Sequence, residues 1–224
     1  CDASTGFFCL KQSYANMCSN QAIDLGDLVS SFGGNWCDNN SPTGKHTLPR
    51  GSTCIMTTQK IEVEAETSLV LSSGDGNGAM AVLSGGTSDK LFDVKGEVIL
   101  VDLILEDAKS RGAIRTTGAG SKTHLIRSII RKCEATYGGA VNANSGAVLI
   151  LEDSTLESNK GISGGGLFAE GGAKIQIKGI SSIKKNIATS FGGGFYLKEK
   201  DTTLEIIGEG TQLLIDGNTA PEGG

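Results

Sequence analysis

Downstream of residue 55 the chain alternates apolar and polar positions in short runs: Ile61–Ala65 (IEVEA), Ser68–Ser73 (SLVLSS), Glu97–Leu105 (EVILVDLIL), Thr123–Ile130 (THLIRSII), Ala147–Leu151 (AVLIL), Ala173–Lys178 (AKIQIK), Thr203–Ile207 (TLEII) and Gln212–Ile215 (QLLI). A period of two belongs to strands, in which successive side chains point to opposite faces. Upstream the texture differs. Cysteine, asparagine, serine and the single tryptophan dominate there, and Ala22–Val29 (AIDLGDLV), preceded by Ser19 or Asn20 as a cap, predicts one helix.

A longer period is laid over the strands. Gly138-Gly139-Ala140-Val141 is answered 27 residues on by Gly165-Gly166-Leu167-Phe168 and 28 residues later by Gly193-Gly194-Phe195-Tyr196, with Arg111-Gly112-Ala113-Ile114 lying 27 residues upstream of the first. An aliphatic-x-x-Asn element precedes each glycine pair: Leu156 to Asn159, Ile183 to Asn186 and Ile215 to Asn218. Cys133 and Ala108 fill the same slot in the earlier copies. A unit of about 27 residues cannot bury its apolar face alone, but stacked copies can.

The expected fold is therefore an all-β, right-handed, single-stranded parallel β-helix. About six coils would span residues 55–224, with residues 1–54 as a cysteine-rich N-terminal cap. The aliphatic residue would point into the bore. The side-chain amides of Asn159, Asn186 and Asn218 would form a structural ladder from coil to coil.

Composition refines this picture. Glycine is abundant, with 33 residues against 3 prolines, while 38% apolar content argues against disorder. A net charge of −5 disfavours a nucleic-acid scaffold, and no stretch is long and apolar enough for a membrane-spanning helix. Cys1, Cys9, Cys18, Cys37 and Cys54 crowd the first quarter, as in an oxidised extracellular module. With Cys133 they are the disulfide candidates. Cys133 has two readings, a small buried thiol in the ladder slot or the partner of a cap cysteine. Asn39-Asn40-Ser41 makes Asn39 a possible glycosylation site.

The pairing of Gly-Gly-Ala-Val at 138–141 with the x-x-Asn elements resembles the repeat of the chlamydial polymorphic membrane proteins, defined by GGA[ILV] and FxxN tetrapeptides, over about residues 100–224. That resemblance implies a surface-exposed β-helical passenger with a role in adhesion.

Candidate chemistry is sparse. Asp102, Asp107, Asp153, Asp201 and Asp216 fall on different turns rather than in the clusters that polysaccharide hydrolases need. Glu106-Asp107 and Glu152-Asp153 sit at different offsets from the following glycine pair, so they are expected not to stack into a calcium site. His124 stands alone within a strand, and Gly118–Lys122 lacks phosphate-loop spacing. The densest basic region, Arg111, Arg115, Arg127, Arg131 and Lys132, reads as a solvated face or as an anion or glycan patch.

No cofactor and no catalytic or metal residue is expected. The function expected is a non-catalytic secreted surface protein, an adhesin or the subunit of a coat or filament; the alternative is a carbohydrate-binding or polysaccharide-cleaving β-helix. Its partners would be other protein subunits or cell-surface proteins and glycans. Because Gly223-Gly224 repeats the mark that opens a coil, the stack is expected to continue, either into further C-terminal residues of its own chain or into another subunit docked end to end.

Overall fold

The computed structural model describes residues 22–24, 43–56, 60–86 and 90–224. Every regular element among them is a strand, and all strand pairs are parallel. Three long sheets run the length of a β-solenoid of about six turns. Sheet A stacks Ala22–Asp24, Thr53–Ile55, Ala81–Ser84, Leu103–Glu106, Ile129–Arg131, Thr155–Glu157, Ile180–Lys184 and Gln212–Asp216. Sheet B runs from Gly44–Leu48 to Thr203–Ile206, and sheet C from Ile61–Val63 to Phe195–Leu197. Each coil visits B, A and C in turn. A short fourth face, Lys160–Ser163 paired with Ile187–Phe191, widens the arc between A and C in the later coils.

The bore is filled by aliphatic columns, one residue per coil. In sheet A, Cys54, Leu83, Leu105, Ile130, Leu156, Ile183 and Ile215 stand in register, and the first six are fully buried. Sheets B and C contribute columns such as Leu71, Leu100, Leu125, Leu151 and Ile177, and Ile114, Val141 and Leu167. Each buried Leu or Ile contributes about 1.5 to 3 kcal/mol. The bore tolerates polarity only where it is paired: Thr116 and Thr123 face each other inside, Oγ1 to Oγ1 at 2.6 Å.

Two corner ladders fix the coils to one another. Asn159 Nδ2 donates to Asn186 Oδ1 at 3.0 Å, and Asn186 Nδ2 to Asn218 Oδ1 at 3.0 Å. Each acceptor oxygen also takes the backbone N–H of the preceding Asn, at 2.9 Å. Cys133 N donates to Asn159 Oδ1, so the thiol occupies the next slot. The residue before each slot sits in the left-handed region: Asp107, Lys132, Ser158, Lys185 and Gly217. At the B-to-A corner a serine ladder does similar work. Ser128 N donates to Ser154 Oγ and Ser154 N to Ser181 Oγ, with all three side chains buried.

Three expectations shift. Val141 pairs with Leu167, and Leu167 with Phe195, so the true counterparts of Gly138-Gly139-Ala140-Val141 are Gly164-Gly165-Gly166-Leu167 and Gly192-Gly193-Gly194-Phe195. The sequence register was one residue late, because three consecutive glycines admit two alignments. Space explains the glycines: a Cβ on Gly165 would lie 2.4 Å from Gly193 O, and one on Gly166 would lie 3.0 Å from the Asn186 amide nitrogen. Second, Ala22–Asp24 is not helical but pairs in parallel with Thr53–Ile55, placing Ile23 opposite the column residue Cys54. Third, the sheets start upstream of residue 55, since Gly44–Leu48 already pairs with Leu69–Ser73.

Candidate functional site

The outer surface of the solenoid is largely occupied by contacts between coils. On sheet A, Glu106, Arg131, Glu157, Lys184 and Asp216 form one column of alternating charge. Arg131 Nε meets Glu106 Oε2 at 2.7 Å, and Lys184 Nζ meets Glu157 Oε2 at 3.3 Å. At the B-to-A corner Arg127 forms a two-pronged pair with Asp102, both contacts at 2.8 Å. Arg127 holds the Asp102 carboxyl below its ordinary range, against a smaller opposing effect of burial. On sheet B, His124 Nε2 lies 2.9 Å from Glu152 Oε2 of the next coil. Burial nevertheless pushes the imidazole pKa down, outweighing the carboxylate.

These positions separate the basic residues singled out in the sequence. Arg127 and Arg131 are engaged with carboxylates on a corner and on sheet A. Lys132 is exposed just after the sheet A strand, and Arg111 lies before sheet C, bridged to Ala135. Arg115 alone points outward from the middle of sheet C, and it has no hydrogen-bond or ion-pair partner among the described residues. The five do not form one patch. The acidic pairs are also split, Glu106 lying on sheet A and Glu152 on sheet B. No group of three or more His, Cys, Asp or Glu residues able to hold a metal occurs among the described residues.

Cys133 is a buried thiol whose Sγ donates to Arg131 O at 3.3 Å, and burial raises its pKa to about 12. It occupies the ladder slot as a buried thiol, with no disulfide among the described residues. Cys54 is buried in the sheet A column. Cys1, Cys9, Cys18, Cys37 and the Asn39 sequon lie outside the described residues.

What gathers on sheet C is different. Its outward column reads Glu62, Asp93, Arg115, Asn142, Phe168, Tyr196 from coil to coil. At one end, Asp93 Oδ2 takes Lys90 Nζ at 2.7 Å and Lys60 Nζ at 3.0 Å, while Lys60 also reaches Glu62 at 2.7 Å. Lys90 is only 2% exposed, and burial lowers its pKa. Burial works to raise the Asp93 pKa, but the two lysines outweigh it and hold the carboxyl below its ordinary value. The second carboxylate oxygen, Asp93 Oδ1, is buried with no hydrogen-bond partner among the described residues.

At the other end the column is aromatic. Phe168 is 2% exposed although it faces outward, because Tyr137 covers it at a centroid distance of 4.9 Å and Tyr196 lies 5.9 Å away. Phe191 stacks on Tyr196 at 5.5 Å. Tyr137 remains 50% and Phe191 38% exposed, beside Ile162 and Ile187 of the fourth face. Amides join the two halves. Asn142 Nδ2 donates to Tyr137 O, Asn144 Nδ2 to Asn142 Oδ1, and Thr117 Oγ1 to Asn144 Oδ1. Aligned with Val141, as the sequence pairs them, Phe168 and Tyr196 would share its inward direction; the one-residue shift turns them outward and makes the strip.

No protein-family model matches this sequence, and neither does a curated protein or a solved structure. The strip offers flat apolar rings bordered by fixed amides and one unengaged cation, on a backbone locked by three sheets. That arrangement suits recognition of a ligand lying along the solenoid. Among the described residues no helix is long and apolar enough to cross a membrane.

Proposed function

We propose that the chain is a non-catalytic extracellular surface protein whose rigid solenoid displays the sheet C strip for attachment. The observation that carries this reading is the division of the outer surface. On sheet A and at the B-to-A corner, carboxylates meet cations of the neighbouring coil, whereas the rings of Tyr137 and Phe191 stay exposed beside sheet C. Carboxylates engaged in ion pairs are poorly placed for general acid and base work, which needs a free pair converging on one substrate bond. Exposed aromatics on a stiff frame are typical binding anchors. The cysteine-rich first quarter supports an oxidising, extracellular setting, and the repeat's resemblance to the polymorphic membrane proteins supports an adhesive role.

The test is to coat beads with the 224-residue chain and measure their retention on cultured cells, with Tyr137→Ala and Phe191→Ala variants alongside. Retention that falls with these variants is the expected outcome. Sustained cleavage of a polysaccharide, lost on substitution of a carboxylate, would sink the reading. Carbohydrate binding without cleavage is the second reading, favoured by the amides beside the rings and by the orphan Asp93 oxygen three rungs away on the same column.

A further inference from the structure

The sheet C column combines features that point to one ligand chemistry. Asp93, Arg115, Asn142, Phe168 and Tyr196 occupy five successive rungs, so at about 4.8 Å per rung the strip is about 19 Å long. Asp93 Oδ1 is a buried acceptor without a donor among the described residues, on a residue that is 8% exposed. An orphan of this kind is costly unless a donor reaches it from outside the chain. Its neighbour Arg115 presents a guanidinium with no hydrogen-bond or ion-pair partner among the described residues. Two rungs from Arg115 the surface becomes aromatic, with the Tyr137 ring lying over Phe168.

A chain of sugars satisfies these groups in turn, three rungs or about 14 Å separating Asp93 from Phe168. Its hydroxyls donate to Asp93 Oδ1 and exchange hydrogen bonds with the Asn142 amide, and the apolar C–H face of one ring lies on Tyr137. Arg115 then asks for an anion on the same chain, and a planar two-pronged guanidinium fits a carboxylate. We infer that the strip binds a carboxylated glycan, a chain of uronic acid residues, laid along the solenoid axis from Asp93 towards Tyr196. This rests on the non-catalytic surface reading and names its ligand. Arg115 supplies one two-pronged anion contact, and the hydroxyls along the rest of the chain supply donors for the neighbouring acceptors.

The experiment is calorimetric titration of the full chain with tetragalacturonate, with cellotetraose as the uncharged counterpart and a sulfated dextran fragment as the carboxylate-free anion. Tetragalacturonate is expected to bind at least tenfold more tightly than either. Arg115→Ala and Tyr137→Ala should each weaken it at least tenfold, and Arg115→Lys, which keeps the charge but loses the fork, should also weaken it. Arg127→Ala should leave it unchanged. Circular dichroism of each variant separates lost binding from lost fold. The inference is overturned if tetragalacturonate does not bind, if cellotetraose or sulfated dextran binds as well, or if folded Arg115→Ala binds like the parent. Chromatography of the titrated sugar keeps the two readings apart. Cleavage products would overturn the non-catalytic reading and leave the binding site standing, whereas absent binding removes the site alone.

Discussion

Replacing Asn186 by alanine should be among the most damaging single polar substitutions in the chain. Its fully buried side chain makes four hydrogen bonds: Oδ1 accepts from Asn159 N and Asn159 Nδ2, and Nδ2 donates to Leu156 O and Asn218 Oδ1. At about 1 kcal/mol each, and with no room for water to replace them, their loss is worth about 4 kcal/mol. Asn218 sits in the same ladder but is partly exposed, and its side chain accepts two bonds and donates one. Water can take over there, so Asn218→Ala should cost about 1 kcal/mol. Urea unfolding followed by circular dichroism gives both numbers from the shift in midpoint. Asn186→Asp adds a pH test. The buried carboxyl would have a folded-state pKa above its unfolded value, so the variant's deficit relative to the parent should shrink as pH falls through that folded value. An Asn186→Ala cost below about 1 kcal/mol, or no larger than that of Asn218→Ala, would refute the idea that the ladder binds the coils together.

Gly165→Ala should cost more than about 3 kcal/mol or abolish folding, because the new methyl would meet the Gly193 and Ile187 carbonyl oxygens at 2.4 and 2.5 Å, and backbone cannot step aside; thermal melts of the variant check this. The folded-state pKa of His124 is depressed, so the unfolded chain binds more protons in that window. Stability should therefore fall as pH drops through the ordinary histidine range towards the depressed value, and His124→Gln should flatten that part of the urea-midpoint profile. The Cys133 thiol, with its pKa near 12, should resist iodoacetamide at pH 8 in the folded chain and react only in denaturant, as peptide mapping by mass spectrometry would show.

The strand pattern and the coil period could be read from the chain because they are carried by residues with few alternatives. An aliphatic followed three residues later by asparagine recurs at fixed spacing, and the same residues stand in register in the folded chain. The glycine tetrapeptides were harder. In Gly164-Gly165-Gly166 and Gly192-Gly193-Gly194 any two neighbours serve as the pair, and one step of error turns Phe168 and Tyr196 from the surface to the bore. The serine ladder went unread for another reason. Ser128, Ser154 and Ser181 each stand two residues before a column aliphatic, but serine is common in turns and its spacing draws no notice without the stacked partners. Ala22–Asp24 looked helical because a short apolar run fits either period, and only pairing with Thr53–Ile55 decides between them.

The asparagine ladder also has a direction. Each asparagine accepts through Oδ1 from the coil before it and donates through Nδ2 to that coil's aliphatic carbonyl, as Asn186 does to Leu156 and Asn218 to Ile183. Its own N–H and second amide proton are answered only by the coil after it. A completed coil thus offers donors in a fixed place, and the next stretch of polypeptide brings the matching oxygen. Contacts at this corner reach about one period along the chain, from Asn159 to Asn186 or from Leu156 to Ile183. Assembly can therefore proceed in the order of synthesis, each new turn copying its register from the one just laid down, without waiting for distant sequence to emerge.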